Sequence, residues 1–216
     1  MININFKAAV LTKTNKPLNI LNLSYKKLLK GQVLVKIHFS GICGSQLMEI
    51  KGDRGEDKWL PHCLGHEASG EVVACGPGAK KFKKGDKVIL TWIKSCGNES
   101  SQIRFFNGKQ IVNAGKITTF SNFSIVSENR IVKKPKTLSM KEAVLFGCAI
   151  PTGFGMVVNQ IKPKKSMKIH NAKNIIPTYN TQARQVFMAP TKPFKKKAHV
   201  YHNLPMRGAS SSSIKN

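Results

Sequence analysis

The chain has 216 residues, of which 41% are apolar, so it can bury a sizeable core and a wholly disordered protein is excluded. The formal net charge of +26 is distributed unevenly. All ten carboxylates lie before residue 155, whereas residues 156–216 contain twelve Lys and Arg and no acidic residue. The basic segment therefore differs in composition from the rest of the chain.

The lengths of the apolar segments and the pattern of cysteines indicate the cellular compartment of the protein. No apolar run approaches the roughly 18 to 20 residues that cross a bilayer, and the amino terminus lacks the features of a signal peptide. We therefore expect a cytoplasmic protein without a membrane span. The cysteine count is odd and the spacing is wide, which favours reduced thiols and metal ligation over a disulfide framework. The cysteines are Cys43, Cys63, Cys75, Cys96 and Cys148.

Most of the chain up to residue 127 predicts short strands separated by glycine and proline turns. Several segments are rich in Val, Ile and Phe and alternate in polarity, as strands do. The predicted strands are Phe6–Thr12, Gln32–Phe39, Ala68–Cys75, Lys87–Trp92 and Asn122–Ser127. Turn residues occur at 30–31, 76–78 and 84–86. The pattern favours a mainly β fold with short helices, arranged as a barrel or sandwich.

One helix has a clear start signal. Ser139 and Glu142 form the sequence pattern of a capping box, and the predicted helix runs to Gly147. Cys148 follows it, and the nearby Pro151, Gly153 and Gly155 predict a sharp backbone turn there. Residues 161–169 have the last strand-like character. Residues 170–216 are rich in Asn, Lys, Pro and Ser, which predicts an irregular or disordered tail.

Cys43, His66 and Cys148 stand in glycine-bounded contexts that together predict a metal site. The contexts are 41–45 (GICGS), 64–67 (LGHE) and 146–155 (FGCAIPTGFG). Two thiolates and an imidazole leave one tetrahedral position of zinc free for water or substrate. Such zinc acts as a Lewis acid on an alcohol oxygen, which suits the interconversion of alcohols and carbonyl compounds beside a nicotinamide. Ser45 could pass the alcohol proton outward, and Glu67 could support the site or bind the metal occasionally.

Other residues offer alternatives to this ligand set. His62 and Cys63 are close to His66 and could compete, although Cys63 falls on the opposite side of a strand-like segment. We expect Cys75 to fill a core position and Cys96 to lie in a loop. No Cys-x-x-Cys pair occurs, so no structural zinc site of four closely spaced cysteines is predicted.

These motifs, in this order, closely resemble the zinc-dependent medium-chain alcohol dehydrogenases. The resemblance also includes 70–78 (GEVVACGPG) and 84–88 (KGDKV), and it covers Phe6 to about Ile169. It implies a GroES-like β-barrel in residues 1–155, which would form the zinc-binding catalytic domain. Residues 156–169 would be a vestigial start of the nucleotide-binding domain, and residues 170–216 a basic low-complexity tail.

The resemblance also implies roles for individual residues. Cys43, His66 and Cys148 are similar to the family's zinc ligands, Glu67 to the carboxylate that can exchange onto the metal, and Ser45 to the proton-relay hydroxyl. Thr152 is similar to a residue that touches the nicotinamide.

Two positions depart from the family pattern. Gln46 replaces a common Asp that orients the zinc-bound histidine, and Met48 replaces a relay histidine found in some members. We expect the amide oxygen of Gln46 to accept a hydrogen bond in place of that Asp.

The family implies NAD(P) as cofactor and a small alcohol or aldehyde as substrate. A Gly-x-Gly-x-x-Gly turn should follow the segment at 161–169, but none occurs in the sequence, and no acidic residue follows for a ribose. We therefore hypothesise a truncated or frameshifted relative whose authentic coding stops near Ile169. Such a chain would be inactive alone, although an assembly with an intact relative could supply the cofactor domain; the chain could also form a homo-oligomer.

Two further hypotheses about function stay open. The chain could be a zinc-binding remnant without a reaction, or a binding module whose basic tail contacts nucleic acid. Lys195–Lys197 lie near Phe194, His199 and Tyr201, which would provide charge and stacking. No nucleic-acid-binding motif accompanies them, so nucleic acid is an unfavoured partner.

Overall fold

The structure is a computed structural model that describes residues 4–162 of the chain. In this part the chain forms ten strands and three α-helices. The strands are β1 (Ile4–Leu11), β2 (Asn19–Tyr25), β3 (Gln32–Ser40), β4 (His62–Cys63), β5 (Glu67–Cys75), β6 (Lys87–Thr91), β7 (Ile103–Asn107), β8 (Gln110–Gly115), β9 (Phe123–Ser127) and β10 (Ile131–Lys133). The α-helices are α1 (Gly44–Lys51), α2 (Met140–Ala143) and α3 (Ala149–Gly155). Short 3₁₀-helices span Glu128–Arg130 and Val144–Gly147, and a π-helix spans Met156–Ile161.

The strands form a closed barrel and a five-stranded sheet. The barrel order is β1-β2-β7-β8-β4, and the sheet order is β10-β6-β5-β3-β9. All paired strands are antiparallel except β4 and β8. The fold is therefore mainly β with short helices and contains a β-barrel, as predicted.

Alternation along β3 separates two hydrophobic cores. Leu34 packs in the cluster that includes Phe6 and Phe105, whereas Val33 and Val35 pack in the cluster on the opposite face of the sheet. Successive side chains of a strand point to opposite faces, so the consecutive apolar residues 33–35 are buried on both sides of the sheet. This burial agrees with the position of β3 between β5 and β9.

The five predicted strands are confirmed, with ends shifted by at most two residues. They correspond to β1, β3, β5, β6 and β9. Five further strands were not predicted. Of these, the β7–β8 hairpin had a usable signal, because Gly108 begins its two-residue loop with φ +58°, a conformation that favours glycine.

The helix before Cys148 is confirmed, and its cap has the predicted bonds. The Glu142 amide donates to Ser139 Oγ at 3.2 Å, and the Ser139 amide donates to Glu142 Oε2 at 2.9 Å. The expected sharp turn occurs at Cys148, where the segments Met140–Gly147 and Ala149–Asn159 meet at 49°, whereas Pro151, Gly153 and Gly155 lie beyond it in α3. Pro151 lies in the first turn of this helix, where backbone amides have no acceptor within the helix. The amide hydrogen that proline lacks is therefore not needed there.

The cysteines outside the predicted site lie as expected. Cys75 is partly buried against a hydrophobic core and its thiol donates to the Phe82 carbonyl oxygen at 3.3 Å. Cys96 is exposed in a loop.

The predicted domain limits remain predictions. The chain is helical from α3 into the π-helix Met156–Ile161, across the boundary expected at residue 155. Residues 163–216, which include most of the expected vestigial segment and the whole basic tail, lie outside the described residues.

Among residues 4–162, no single helix is long and apolar enough to cross a membrane. The segments Met140–Gly147 and Ala149–Asn159 reach the required length and composition only as a pair, which is bent by 49°.

Substitution of Gly147 by alanine is expected to destabilise the protein by about 1–3 kcal/mol, as overpacking of a core usually does. An added Cβ would collide with the Leu90 carbonyl oxygen and lie 2.8 Å from Glu67 Cβ. Denaturant unfolding measures the change. The control is Gly153→Ala, because no atom lies within 4 Å of the new Cβ there. Equal stability of the two variants would contradict the prediction.

Candidate metal centre

The backbone of Glu67 joins the two segments that carry Cys43 and His66. Its carbonyl oxygen accepts from the Gly41 amide at 3.1 Å and from Ser40 Oγ at 3.2 Å. The pairing of β3 with β5 aligns Ser40 with Ala68, so the end of β3 lies beside the start of β5. Cys43 follows the end of β3 and His66 immediately precedes β5, and this pairing therefore brings the two side chains together.

The third predicted ligand reaches the same place through β6. Thr91 at the end of β6 pairs with Glu67, and Thr91 Oγ1 donates to the Gly147 carbonyl oxygen at 2.6 Å. This bond fixes the chain immediately before Cys148. The segments that carry Cys43, His66 and Cys148 are distant in sequence, and these contacts hold all three near the start of β5.

Cys43, His66 and Cys148 converge as the sequence predicted. One Sγ atom from each cysteine and one ring nitrogen of His66 all lie within 4.8 Å of one another. Cys148 is buried, and Cys43 and His66 are partly buried. Within the part of the chain that the structure describes, His66 Nε2 is buried without a hydrogen-bond partner, which is unusual for a ring nitrogen and suits a metal ligand. Two sulfurs and one imidazole nitrogen are donors that zinc accepts.

The pKa values of the two thiols are shifted in opposite directions. The neighbouring Cys148 and His66 lower the pKa of Cys43, while Cys43, together with burial, raises the pKa of Cys148. Cys43 is therefore the more acidic thiol of the pair. A thiolate is the form that binds a metal.

The carboxyl group of Glu67 lies beside this cluster. The residue is only 1% exposed, and Oε2 accepts from the Ala149 amide at 3.4 Å, whereas Oε1 has no hydrogen-bond partner among residues 4–162. Burial raises the pKa of Glu67 to about 6. A carboxylate with a free oxygen next to the ligands can support a metal or bind it.

We expected Gln46 to accept a hydrogen bond from His66, but in the structure it does not. Its Oε1 accepts from the Cys43 amide at 2.9 Å, and its Nε2 contacts His66 Nδ1. The expectation was wrong because the backbone amide at the start of α1 competes for the same oxygen. Gln46 still contacts the ring of His66, but it does so as a donor.

Ser45 and Thr152 both lie next to the ligands. Ser45 is partly buried, and its hydrogen bonds to Cys43 are among the causes that lower the pKa of that thiol. The Thr152 amide donates to the Cys148 carbonyl oxygen at 3.0 Å, and Thr152 Oγ1 lies 3.8 Å from Cys148 Sγ. Thr152 is exposed, so it can contact a molecule that approaches the site.

The alternative ligands His62 and Cys63 point away from the cluster. Cys63 lies in the barrel core, where burial raises its pKa to about 12. His62 Nε2 lies 2.7 Å from Asp57 Oδ2 and 3.8 Å from Glu49 Oε1. Sequence reasoning missed this second polar cluster because its members are not in a recognisable spacing. The short bond to Asp57 is the hydrogen bond of His62 Nε2.

A cavity of about 370 Å³ opens beside His66. Apolar and polar side chains from the barrel line it, among them Trp59, Leu64, Asn113 and Thr118. The volume is in the range of small-molecule sites.

Replacement of Glu67 by glutamine is expected to remove a pH dependence from the free energy of unfolding of the protein without bound metal. A pKa raised from 4.5 to about 6 means that the folded state binds the proton more tightly than the unfolded state. This contribution to stability is complete below about pH 4.5 and is lost as the pH rises through about 6, a change of about 2 kcal/mol. Denaturant unfolding in the presence of a chelator at several pH values measures it. Parallel curves for the two proteins would contradict the prediction.

Comparison with known proteins gives a consistent picture. The model of the family "Alcohol dehydrogenase GroES-like domain" matches residues 29–136, which is 108 of the 216 residues. An S-(hydroxymethyl)glutathione dehydrogenase of Escherichia coli is 28% identical over 190 residues, covering 76% of this chain and 51% of the relative. The S-(hydroxymethyl)glutathione dehydrogenase of Photobacterium damsela subsp. piscicida is 30% identical over 181 residues, covering 72% of this chain and 49% of the relative. The chain thus spans about half the length of these curated relatives.

Solved structures agree on the fold. An alcohol dehydrogenase zinc-binding domain protein from Burkholderia ambifaria has a TM-score of 0.66 at 24% identity, covering 74% of this chain and 50% of that one. Benzyl alcohol dehydrogenase from Acinetobacter calcoaceticus has a TM-score of 0.61 at 23% identity, covering 74% and 49%. Since the family model spans half of the chain and these structures share its fold, the chain belongs to the family of the alcohol dehydrogenase GroES-like domain.

Proposed function

We propose that this chain forms the zinc-binding catalytic half of an oxidoreductase that interconverts an alcohol with an aldehyde or ketone. The observation that carries the proposal is the convergence of Cys43, His66 and Cys148 within 4.8 Å. Two sulfurs and one nitrogen are three protein ligands, the number found in catalytic rather than structural zinc sites. The names of the relatives, which include dehydrogenases of alcohols, support the reaction class.

Cys43, His66 and Cys148 would hold zinc, which supplies a Lewis acid for an alcohol oxygen. Glu67 stands beside the ligands with one unpartnered oxygen and is suited to stabilise a cation or to join the ligand set. Both cysteines must remain reduced to bind, which suits the cytoplasm. Binding also releases the protons of the ligand thiols.

The remaining groups would orient a substrate and move its proton. The cavity beside His66 has the size for a small alcohol or aldehyde, and its lining side chains Trp59 and Leu64 would contact the apolar part of the molecule. Ser45 lies beside Cys43 and would take the hydroxyl proton toward solvent. Met48 is 36% exposed and has no titratable group, so it would not continue such a relay.

A nicotinamide nucleotide would be the hydride acceptor, with Thr152 as a contact. Thr152 is exposed and adjacent to Cys148, so a ring placed against it would lie near the metal ligands. Hydride transfer requires that the nucleotide be held in this place. The described residues 4–162 contain no Gly-x-Gly-x-x-Gly turn for its pyrophosphate, so other residues or a second chain would have to bind it.

The purified chain is expected to bind one equivalent of zinc, and Cys43→Ser is expected to lose it. A serine hydroxyl is a far poorer zinc ligand than a thiolate. Metal analysis after dialysis measures the content. Cys96→Ser is the matched control, because Cys96 is exposed and outside the cluster, and it should retain the metal. Absence of zinc from the wild-type protein, or retention by Cys43→Ser, would overturn the proposal.

The zinc-loaded chain alone is expected to form no NADH from ethanol and NAD. The reason is that the sequence offers no glycine turn to hold the pyrophosphate. Absorbance of NADH follows the reaction, and titration of NADH fluorescence tests binding separately. NADH production that disappears in Cys43→Ser would show that this chain holds its own cofactor and would contradict the expectation.

A further inference from the structure

The amide of Gln46 lies between the backbone of Cys43 and the ring of His66. Its oxygen accepts from the Cys43 amide at 2.9 Å, and its nitrogen contacts His66 Nδ1. A backbone N–H can only donate, so it selects the oxygen of the side-chain amide. The NH₂ group is then left facing the imidazole. The backbone at the start of α1 therefore sets the orientation of Gln46.

This orientation determines where a neutral His66 ring carries its proton. A neutral imidazole has one N–H and one acceptor nitrogen. Because the NH₂ group of Gln46 donates to Nδ1, Nδ1 is the acceptor and the proton belongs on Nε2. His66 Nε2 is the other ring nitrogen, buried and without a hydrogen-bond partner among the described residues.

Metal binding at Nε2 requires the opposite arrangement. The lone pair must be on Nε2 and the proton on Nδ1, where an acceptor normally holds it. Two N–H groups would then face each other at Gln46 and His66. The amide could turn over to present its oxygen, but its NH₂ group would then meet the Cys43 N–H. Gln46 is only 3% exposed, so bulk water does not replace the missing partner.

We propose that Gln46 is a positioning residue that holds His66 in the tautomer unfavourable for zinc and thereby weakens zinc binding by this chain. The inference rests on the proposed zinc site. Gln46 reaches the metal only through His66 and through the amide of Cys43. Two of the three ligands thus depend on one side chain, and a single amide cannot present an acceptor to both.

Gln46→Glu tests this inference with almost no change of shape. One carboxylate oxygen can keep the bond from the Cys43 amide while the other accepts from Nδ1–H of His66. We expect zinc affinity to rise about ten- to a hundredfold, the usual effect of such a partner. Competition with a chromogenic chelator measures the dissociation constant. The control is Gln110→Glu, which makes the same charge change at an exposed position of β8 and should alter affinity less than about twofold.

Nitrogen NMR of the wild-type ring provides a test that needs no variant. In zinc-free protein at a pH above the ordinary pKa of histidine, about 6.5, we expect the proton of His66 on Nε2. Gln46→Glu should move it to Nδ1. A proton on Nδ1 in the wild-type protein would overturn the inference, as would equal zinc affinity of wild type and Gln46→Glu. If neither protein bound zinc, the proposed function itself would fail, so the two failures are distinguishable.

Discussion

The site depends on the position of one residue, Glu67, at the start of a central strand. Its carbonyl oxygen accepts from Gly41 and Ser40, and Thr119 Oγ1 approaches the same oxygen at 3.4 Å. Its side chain accepts from the Ala149 amide. These groups belong to three separate parts of the chain, near residues 40–41, 119 and 149, so all three parts must be in place before the cluster residues can meet.

Two buried polar atoms at the proposed metal site lack hydrogen-bond partners. Within residues 4–162, His66 Nε2 and Glu67 Oε1 have none, which supports the proposed site. An unpaired buried polar group destabilises a fold by about 1–3 kcal/mol. Proteins retain such groups where function requires them. A bound cation would satisfy the nitrogen directly and would also stabilise the nearby carboxylate and thiolates.

The convergence of Cys43, His66 and Cys148 and the β architecture could be predicted from the sequence, because glycine-bounded Cys and His residues and alternating apolar residues are local patterns. The role of Gln46 could not be predicted. Its residue type allows either donation or acceptance toward His66, and the choice is made by the Cys43 amide, whose position depends on where α1 begins. The cluster of Glu49, Asp57 and His62 was missed for a related reason, since only the fold brings α1 and the following loop to β4.

The separation of Cys148 from the other two ligands has a consequence for biosynthesis. Residues 66 and 148 are 82 positions apart, so a growing polypeptide exposes Cys43 and His66 well before the last thiol is made. Two ligands bind zinc more weakly than three, and chains are made from the amino terminus. With the proposed zinc site, metal acquisition would be a late maturation step, because a nascent chain interrupted before Cys148 has only two of the three ligands.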